Sequence, residues 1–233
     1  MNYRQLGNGG AFDYKSVNSS FIIENEDKYL LFDCGYSVYA ELRRLDEDLN
    51  ENFNLDKLTS VYISHMDDDH IGSIKTLIFY MFFVKGKKLD IHAVDEVATY
   101  LHEYLERLSK YMNFMDQHQG NFRINDIQCE PTETEHHETC YGLIMSVPDN
   151  NYRKAIYITG DTKALTSIRN VINNIDNTYR SYVVFHDYSN WDDEENQVHA
   201  CKSGTDRLYS DTTRSRVQWY HNNEPLNNKW QTV

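Results

Sequence analysis

The sequence contains little proline and little glycine, with three and ten residues respectively among 233. This scarcity excludes collagen-like and low-complexity chains and argues against intrinsic disorder. Hydrophobic residues make up 40% of the chain, which is enough to bury a sizeable core. A chain of this length fits one large domain or two small ones. Because no internal linker or repeat is evident, we expect a single domain over residues 1–233.

Cysteine is scarce as well, and long apolar runs are absent. The four cysteines lie far apart and form no Cys-x-x-Cys pair, which argues against a structural zinc site built from thiolates. Their pattern suits free thiols in a reducing cytosol. The first residues contain no apolar signal-peptide core, and no stretch reaches about 18 apolar residues. We therefore expect a cytoplasmic protein that has no membrane partner.

Positive charge is in deficit, with 23 Lys and Arg against 36 Asp and Glu and a formal net charge of −13. A protein that grips a phosphate backbone needs a basic surface, so we expect no long nucleic acid as a partner. A small anionic ligand is still compatible with this charge, because a metal site supplies positive charge locally. The alternative explanation is that the negative charge serves only to keep the protein soluble.

The most informative stretch that is present is Ser64-His65-Met66-Asp67-Asp68-Asp69-His70-Ile71-Gly72, with five metal-capable side chains within six residues. It follows an apolar run at 58–63 that predicts a buried strand, and it precedes an apolar run at 71–84 that predicts a helix. Folds of the α/β class commonly place their chemistry at the carboxyl ends of strands. The stretch therefore indicates a metal site.

Acids and histidines also stand where other apolar runs stop. A hairpin is predicted from strands at 19–24 and 28–34, and further strands at 155–159, 181–185 and 216–220. The residues at their ends are Asp33, Asp161, His186 and His221. Strand ends line up along one edge of a sheet, so we expect these side chains near the metal site. A simple turn-forming role is the alternative for Asp33, and a structural role is expected for His186.

The remaining pattern alternates helices with strands and predicts an α/β fold. Helices are expected at 39–50, 95–111, 165–175 and 205–209, and strands at 89–94, 132–138 and 141–147. The segment 113–130 is polar and ambiguous.

The order His-x-Asp-x-Asp-His resembles the His-x-His-x-Asp-His signature of the metallo-β-lactamase superfamily, with Asp67 in place of the second histidine. Other segments follow the order seen in the tRNase Z-like branch of that superfamily, and together they span nearly the whole chain. They are 6–12, 31–35, 64–72, 135–142, 159–162, 185–187, 198–200 and 219–221. The resemblance implies a four-layer αβ/βα metallo-β-lactamase fold.

The resemblance also implies two divalent metal ions and assigns their ligands. Such a pair, about 3.5–4 Å apart, holds and polarises a phosphoryl group. The first ion would be held by His65, Asp67, His136 and a bridging Asp161, and the second by Asp69, His70, Asp161 and His221. Zinc is the first expectation, with Mn or Fe as alternatives.

Two neighbouring histidines compete for one of these ligand positions. The family's ligand lies six positions before the glycine of a Tyr-Gly pair, and Tyr141-Gly142 gives that count for His136. His137 remains the alternative.

Asp67 is the main departure from the family pattern. A carboxylate is harder than an imidazole, so it favours Mn or Fe relative to Zn and lowers the Lewis acidity of the site. One alternative is therefore a protein that binds nucleotide without turning it over. The flavodiiron branch carries Glu at the equivalent position, which makes an oxygen-handling diiron protein a more distant alternative.

The resemblance assigns catalytic roles to two further positions and to one ligand. His199 resembles the histidine that protonates the leaving oxygen, a step worth about 10²–10⁴-fold in rate. Asp187 resembles the acid that orients it, although the family usually has Glu there. Asp69 is expected to act in catalysis as well as in metal binding, and Asp33 would orient a ligand.

The aromatic helix at 71–84 and the short chain look closer to the anti-Pycsar phage phosphodiesterases, which hydrolyse cyclic mononucleotides such as cCMP and cUMP. The resemblance implies that activity, a homodimer, and action in the host cytoplasm if a phage encodes the chain. A tRNase Z-type endoribonuclease is the alternative. Its basic glycine-rich arm has no evident counterpart beyond the short Lys85-Gly86-Lys87-Lys88.

Overall fold

The computed structural model describes residues 1–117, 120–191, 198–222 and 229–233. The chain forms two compact units, one from the described parts of 1–119 and 223–232 and the other from those of 120–222 with Val233. The expectation of a single domain stays a prediction. A search of the described helices finds none that is long and apolar enough to cross a membrane.

Within the described residues the chain forms thirteen strands. In chain order they are β1 Asn2–Gly7, β2 Ser20–Asn25, β3 Lys28–Phe32, β4 Leu58–Tyr62, β5 Asp90–Val94, β6 Asn113–Gln117, β7 Phe122–Ile124, β8 Ile127–Glu135, β9 Thr139–Asp149, β10 Tyr152–Ile158, β11 Ser181–Asp187, β12 Gln218–Tyr220 and β13 Gln231–Thr232.

The same part of the chain contains seven α-helices and two short 3₁₀ turns. The helices are α1 Val38–Glu47, α2 Asp68–Ile71, α3 Ile74–Phe83, α4 Asp95–Leu105, α5 Thr166–Thr178, α6 Lys202–Leu208 and α7 Asp211–Arg214, and the turns are Leu55–Lys57 and Glu106–Leu108.

The first unit is built on a sheet of seven described strands in the order β13-β1-β2-β3-β4-β5-β6. β2 and β3 form the predicted hairpin, with Glu26 and Asp27 at its tip in the left-handed region. β3, β4, β5 and β6 run parallel to one another. The carboxyl ends of β3 and β4 therefore lie side by side, and this is where Asp33 and the His-Asp stretch follow.

Apolar side chains at helical spacing attach the helices of this unit to its core. α1 buries Val38, Leu42 and Leu45 at steps of three and four residues. α3 buries Ile74 and Leu77 in the same way, together with Ile78 and Met81. Burying each such side chain fully stabilises the fold by about 1.5–3 kcal/mol. This packing attaches the turns beside the two helices to the core.

The second unit is built on a sheet of six described strands in the order β12-β11-β10-β9-β8-β7. β7 to β10 are antiparallel neighbours, whereas β10, β11 and β12 run parallel. α5 buries Ile168, Ile172 and Ile175 in a cluster with Tyr157 and Val184 of β10 and β11. Three parallel strands therefore end along one edge, each just before or at a predicted site residue.

One expectation needs correction, and it concerns the first unit. The apolar run at 71–84 is not one helix, because α2 ends at Ile71 and α3 begins at Ile74. The chain turns between them, where the Ser73 amide donates to the Cys34 carbonyl at 3.0 Å. The ambiguous segment 113–130 contributes β6, β7 and the start of β8. All four cysteines are buried and free.

Candidate functional site

The His-Asp stretch occupies the turn between β4 and α2 in the first unit. Ser64 and His65 lie just beyond the end of β4, and both are fully buried. Asp67 precedes the first residue of α2, and Asp69 and His70 lie on that helix. The helix begins earlier than the sequence predicts, so its short turn presents both Asp69 and His70 from one rigid element.

Asp33 is the hydrogen-bonding centre of this half of the site. It follows β3 in the left-handed region at φ 62° and is 1% exposed. Its Oδ1 accepts the Ser64 amide at 2.8 Å, and its Oδ2 lies 2.8 Å from both the Ser64 hydroxyl and His70 Nδ1. A carboxylate only accepts, so the proton of His70 lies on Nδ1. The lone pair for a metal is then on Nε2.

The Ser64 hydroxyl determines the tautomer of His65 in a similar way. The Ser64 hydroxyl donates to Asp33 and lies 3.0 Å from His65 Nδ1. Since its single proton is used, its oxygen accepts from His65 Nδ1–H, which leaves the lone pair of His65 on Nε2. Sequence reasoning gave Ser64 no role. Its position directly before the first histidine was the available signal.

The two histidines each face a carboxylate at the spacing of shared metal ligands. His65 Nε2 lies 3.5 Å from Asp67 Oδ2, and His70 Nε2 lies 3.5 Å from Asp69 Oδ2. Two ligand atoms at about 2.1 Å from one tetrahedral ion are about 3.4 Å apart. Asp67 makes no side-chain cap on α2, so its carboxylate is not diverted into the helix. The donor set therefore fits divalent ions.

In the second unit, the ends of three parallel strands bring a second cluster together. Asp161 follows β10, Asp187 is the last residue of β11, and His221 follows β12 at φ 66°. His221 Nε2 lies 3.7 Å from Asp161 Oδ2. With His199, these residues present ligand atoms within 4.8 Å of one another. This cluster of carboxylates and imidazoles, buried except for the half-buried His199, can hold a divalent ion.

His199 and Asp187 form a charged pair at the edge of this cluster. His199 Nδ1 lies 2.8 Å from Asp187 Oδ2, which also accepts the Thr162 amide at 2.7 Å. Burial lowers the pKa of His199, but the charge and hydrogen bond of Asp187, with help from Asp161, raise it above its ordinary value. Burial raises the pKa of Asp187, and the facing His199 outweighs this and lowers it. Nδ1 is thus held and Nε2 faces away from Asp187.

The geometry of the second unit distinguishes the two neighbouring histidines. His136 is buried, and its Nδ1 donates to the Val198 carbonyl at 3.1 Å, which leaves the lone pair on Nε2. Its ring centroid lies 4.9 Å from that of His199. His137 is exposed. These contacts favour His136 as the ligand, and the assignment stays a prediction.

His186 is a structural residue in this unit, as the sequence analysis expects. Its Nδ1 lies 2.7 Å from the Asp187 carbonyl and its Nε2 lies 2.7 Å from the Tyr209 hydroxyl. Burial lowers its pKa, so it is neutral. Both ring nitrogens are engaged, and neither is available to a metal.

The structure thus gathers each set of predicted site residues within its own unit. The first unit holds four of the predicted ligands, and the second holds the other three with the proton donor. The sets are His65, Asp67, Asp69 and His70 in the first, and His136, Asp161, His221, His199 and Asp187 in the second. Their assembly into one dinuclear centre stays a prediction.

Comparison with known proteins decides the family. The profile of the family described as anti-Pycsar protein Apyc1 matches residues 1–232. The chain belongs to the anti-Pycsar Apyc1 family. This membership confirms the resemblance to the anti-Pycsar branch.

Individual relatives of the family match part of the chain. The Apyc1 of Bacillus phage 010DV004 is 38% identical over 93 residues, which is 39% of this chain and 34% of the relative. That of Paenibacillus harenae is 28% identical over 123 residues, 50% of this chain and 48% of the relative. A ribonuclease Z from Macrococcus caseolyticus is 25% identical over 130 residues, 53% and 40% of the two chains. Each match spans less than half of the relative's length.

Solved structures confirm the fold class. The metallo-β-lactamase fold protein YhfI from Bacillus subtilis superposes with a TM-score of 0.72 at 18% identity, covering 97% of this chain and 88% of YhfI. The short form of human tRNase Z gives a TM-score of 0.72 at 14% identity, covering 100% and 99%. At such identities the likeness shows the fold alone, which is the mixed α/β metallo-β-lactamase fold with two sheets.

Proposed function

We propose that this protein is a dinuclear metal-dependent phosphodiesterase that hydrolyses cyclic mononucleotides and thereby opposes Pycsar immunity. The observation that carries the proposal is the orientation of the buried imidazoles. Each of His65, His70 and His136 has its Nδ1 bonded within the protein, so that Nε2 is presented as a ligand atom. Membership of the anti-Pycsar Apyc1 family supports the proposed substrate class.

The proposed metal site uses the ligand set that the family resemblance implies. One ion would be held by His65, Asp67, His136 and Asp161, and the other by Asp69, His70, Asp161 and His221. The near 3.5 Å pairs of His65 with Asp67 and of His70 with Asp69 support this division. We favour zinc, with Mn or Fe as alternatives because Asp67 is a hard ligand.

Catalysis then depends on what the chain's own groups hold and move. Two divalent ions, when bound, would polarise a phosphoryl group and lower the pKa of a water molecule. In the first unit, Asp33 orients the ring of His70 directly and the ring of His65 through the Ser64 hydroxyl. Asp187 holds His199 by Nδ1, and the pKa that Asp187 raises favours the protonated form of this imidazole. His199 gives the Nε2 proton to the leaving 3′ or 5′ oxygen.

The proposed partners rest on the resemblance to the anti-Pycsar phosphodiesterases. We propose a homodimer that acts on cyclic nucleotides in the cytoplasm, or in the host cytoplasm if a phage encodes it. The net charge of −13 supports a small anionic substrate over a long nucleic acid.

The test is turnover of a substrate panel by the metal-loaded protein. The panel contains cyclic CMP, cyclic UMP, cyclic AMP and a pre-tRNA, each with Zn or Mn. We expect hydrolysis of cyclic mononucleotides and its loss in His65→Ala and Asp69→Ala. His102→Ala, which alters an exposed histidine of α4, is the matched control and should retain activity.

The other outcomes identify the alternatives. Cleavage of the pre-tRNA alone would establish the endoribonuclease, for which the ribonuclease Z relative is the specific support. Binding of cyclic nucleotide by a fully metal-loaded protein without turnover would overturn the enzyme proposal and leave a nucleotide-binding protein.

A further inference from the structure

A cavity of about 240 Å³ lies beside His199 in the second unit. His199 is one of its lining residues, and the ring is held at Nδ1 by the 2.8 Å contact with Asp187. Nε2 is then the ring nitrogen left to donate a proton, and this cavity is a space beside His199 that can receive an acceptor. A group that leaves with this proton must be accommodated next to His199, which makes the cavity the space for the leaving group.

One part of the cavity wall is apolar. Leu165, Cys201 and Gly204 contribute to it. Cys201 is 3% exposed, and Gly204 is buried in α6 without a side chain to fill the space above it. Flat heteroaromatic rings bind against surfaces of this kind, with their polar edges directed to the rim.

The rim of the cavity carries two cations in a strongly acidic protein. Lys163 and Arg207 both line it, together with Glu135. The Lys163 amide donates to the Glu135 carbonyl at 3.0 Å, which fixes the backbone from which the lysine side chain extends. Lys163 Nζ pairs with Glu135 Oε1 at 3.0 Å, with both side chains well exposed. An exposed pair of this kind is worth little, so the ammonium can turn to a ligand at low cost.

We propose that this cavity is the nucleoside subsite, in which Lys163 and Arg207 donate hydrogen bonds to acceptor atoms of the base or ribose. The inference rests on the proposed function. In a cyclic mononucleotide the leaving oxygen stays attached to the ribose. Protonation by His199 therefore places the sugar in the cavity and directs the base to the apolar wall. Lysine and arginine offer donors only, which match carbonyl and hydroxyl oxygens.

The test compares two substrates that share a phosphodiester but differ in the leaving group. Cyclic UMP brings a nucleoside, whereas bis(p-nitrophenyl) phosphate brings a ring without carbonyl or hydroxyl acceptors. We expect Lys163→Ala and Arg207→Ala each to lower the ratio of kcat/KM for cyclic UMP to that for bis(p-nitrophenyl) phosphate by about tenfold, mainly through KM. Lys163→Arg should restore most of the ratio.

Lys202→Ala is the matched control, because Lys202 lies on α6 with Arg207 and pairs with Asp206 at 3.2 Å outside the cavity lining. It should leave the ratio unchanged. Uridine, which lacks phosphate, should inhibit hydrolysis of bis(p-nitrophenyl) phosphate competitively, and its inhibition constant should rise by a similar factor in Lys163→Ala and Arg207→Ala. Thermal unfolding of every variant checks that each one folds.

The failures of the two proposals are distinguishable. If the wild type hydrolyses cyclic UMP and the ratio is the same in all variants, the function stands and the subsite is wrong. An equal loss on both substrates would also overturn it, because the cations would then act on the phosphate. If the wild type hydrolyses bis(p-nitrophenyl) phosphate but no cyclic nucleotide and uridine does not inhibit, both proposals fail.

Discussion

At the scale of single residues, the histidines proposed as ligands depend on neighbours that are not themselves proposed as ligands. Asp33 and Ser64 determine which nitrogen of His65 and of His70 carries the proton. The sequence places both histidines in a recognisable motif, but the choice of tautomer depends on a hydroxyl only 3.0 Å away. Such a choice is a matter of hydrogen-bond geometry and cannot be read from spacing.

Replacing Ser64 tests this chain of hydrogen bonds. Ser64→Ala removes the acceptor for His65 Nδ1–H, and loss of such an orienting partner typically costs 10- to 100-fold in metal affinity, so we expect a loss of about tenfold. Competition with a chromophoric chelator measures it. Ser60→Ala is the control, since Ser60 is equally buried in β4 and its hydroxyl contacts Thr59. Equal zinc affinity in the two variants would contradict the assigned role.

His92 provides a pH test that is separate from the site. Burial lowers its pKa from 6.5 to about 4. As pH falls from 6.5 towards 4, His92 takes up a proton in the unfolded chain while its buried imidazole stays neutral in the folded protein. The free energy of unfolding therefore decreases on acidification. We expect this residue to cost the metal-free protein on the order of 1 kcal/mol in unfolding free energy between about pH 7 and about pH 5.5.

Denaturant unfolding of the metal-free protein at the two pH values measures this effect. His92→Asn should show a shallower loss of stability on acidification, whatever its stability at neutral pH. His102→Asn, in an exposed position, should keep the wild-type slope. A wild-type slope in His92→Asn would show that the buried imidazole is not the source.

At the scale of elements, the hairpin and the parallel strands were predictable because polar turns separate well-marked apolar runs. The break between α2 and α3 was not, because the apolar run at 71–84 is continuous in the sequence. The break arises from tertiary bonds to residues near 34, which are distant along the chain. β13 was also missed, since two residues have no periodicity and pair with β1 only in the folded unit.

At Gly35 the segment that follows β3 approaches the backbone of α2 closely. A Cβ at this position would lie 1.8 Å from the Asp69 carbonyl oxygen. We expect Gly35→Ala to cost about 3 kcal/mol or more in unfolding free energy, because backbone must move, and to weaken metal binding through the displaced α2. Chemical denaturation and metal titration measure the two effects.

Gly86→Ala is the control for conformational strain alone. Gly86 has φ 69° and no heavy atom within 4 Å of a built Cβ. It should cost about 1 kcal/mol and leave metal affinity unchanged. If Gly35→Ala behaved in the same way, the contact with the Asp69 carbonyl would not be limiting.

At the scale of the whole molecule, an aromatic patch stands out on the first unit. It consists of Phe79, Phe82 and Phe83 from α3 with Tyr111, and five pairs of these rings have centroids between 5.1 and 6.0 Å apart. Phe83 is 66% exposed. Clusters of exposed aromatic side chains commonly mark interaction surfaces. In the homodimer proposed from the family, this patch is the first surface to test.

Phe83→Asp should convert a dimer to a monomer at micromolar concentration, because it places a charge in an apolar contact. Light scattering coupled to size exclusion measures the mass. Phe12→Asp is the control, since Phe12 is 99% exposed and belongs to a loop outside the patch. A dimer that survives Phe83→Asp would locate the interface elsewhere, and a monomeric wild type would remove the homodimer proposal.

The buried thiol of Cys34 turns the segment beside Asp33 into a reporter of local opening. Burial raises its pKa to about 12, so it reacts with labelling reagents only when the segment opens. Its amide donates to the His70 carbonyl at 2.7 Å, which links that opening to the turn that carries two of the proposed ligands. The rate of thiol labelling, with and without metal, would therefore measure how much a bound ion slows the local opening of this turn.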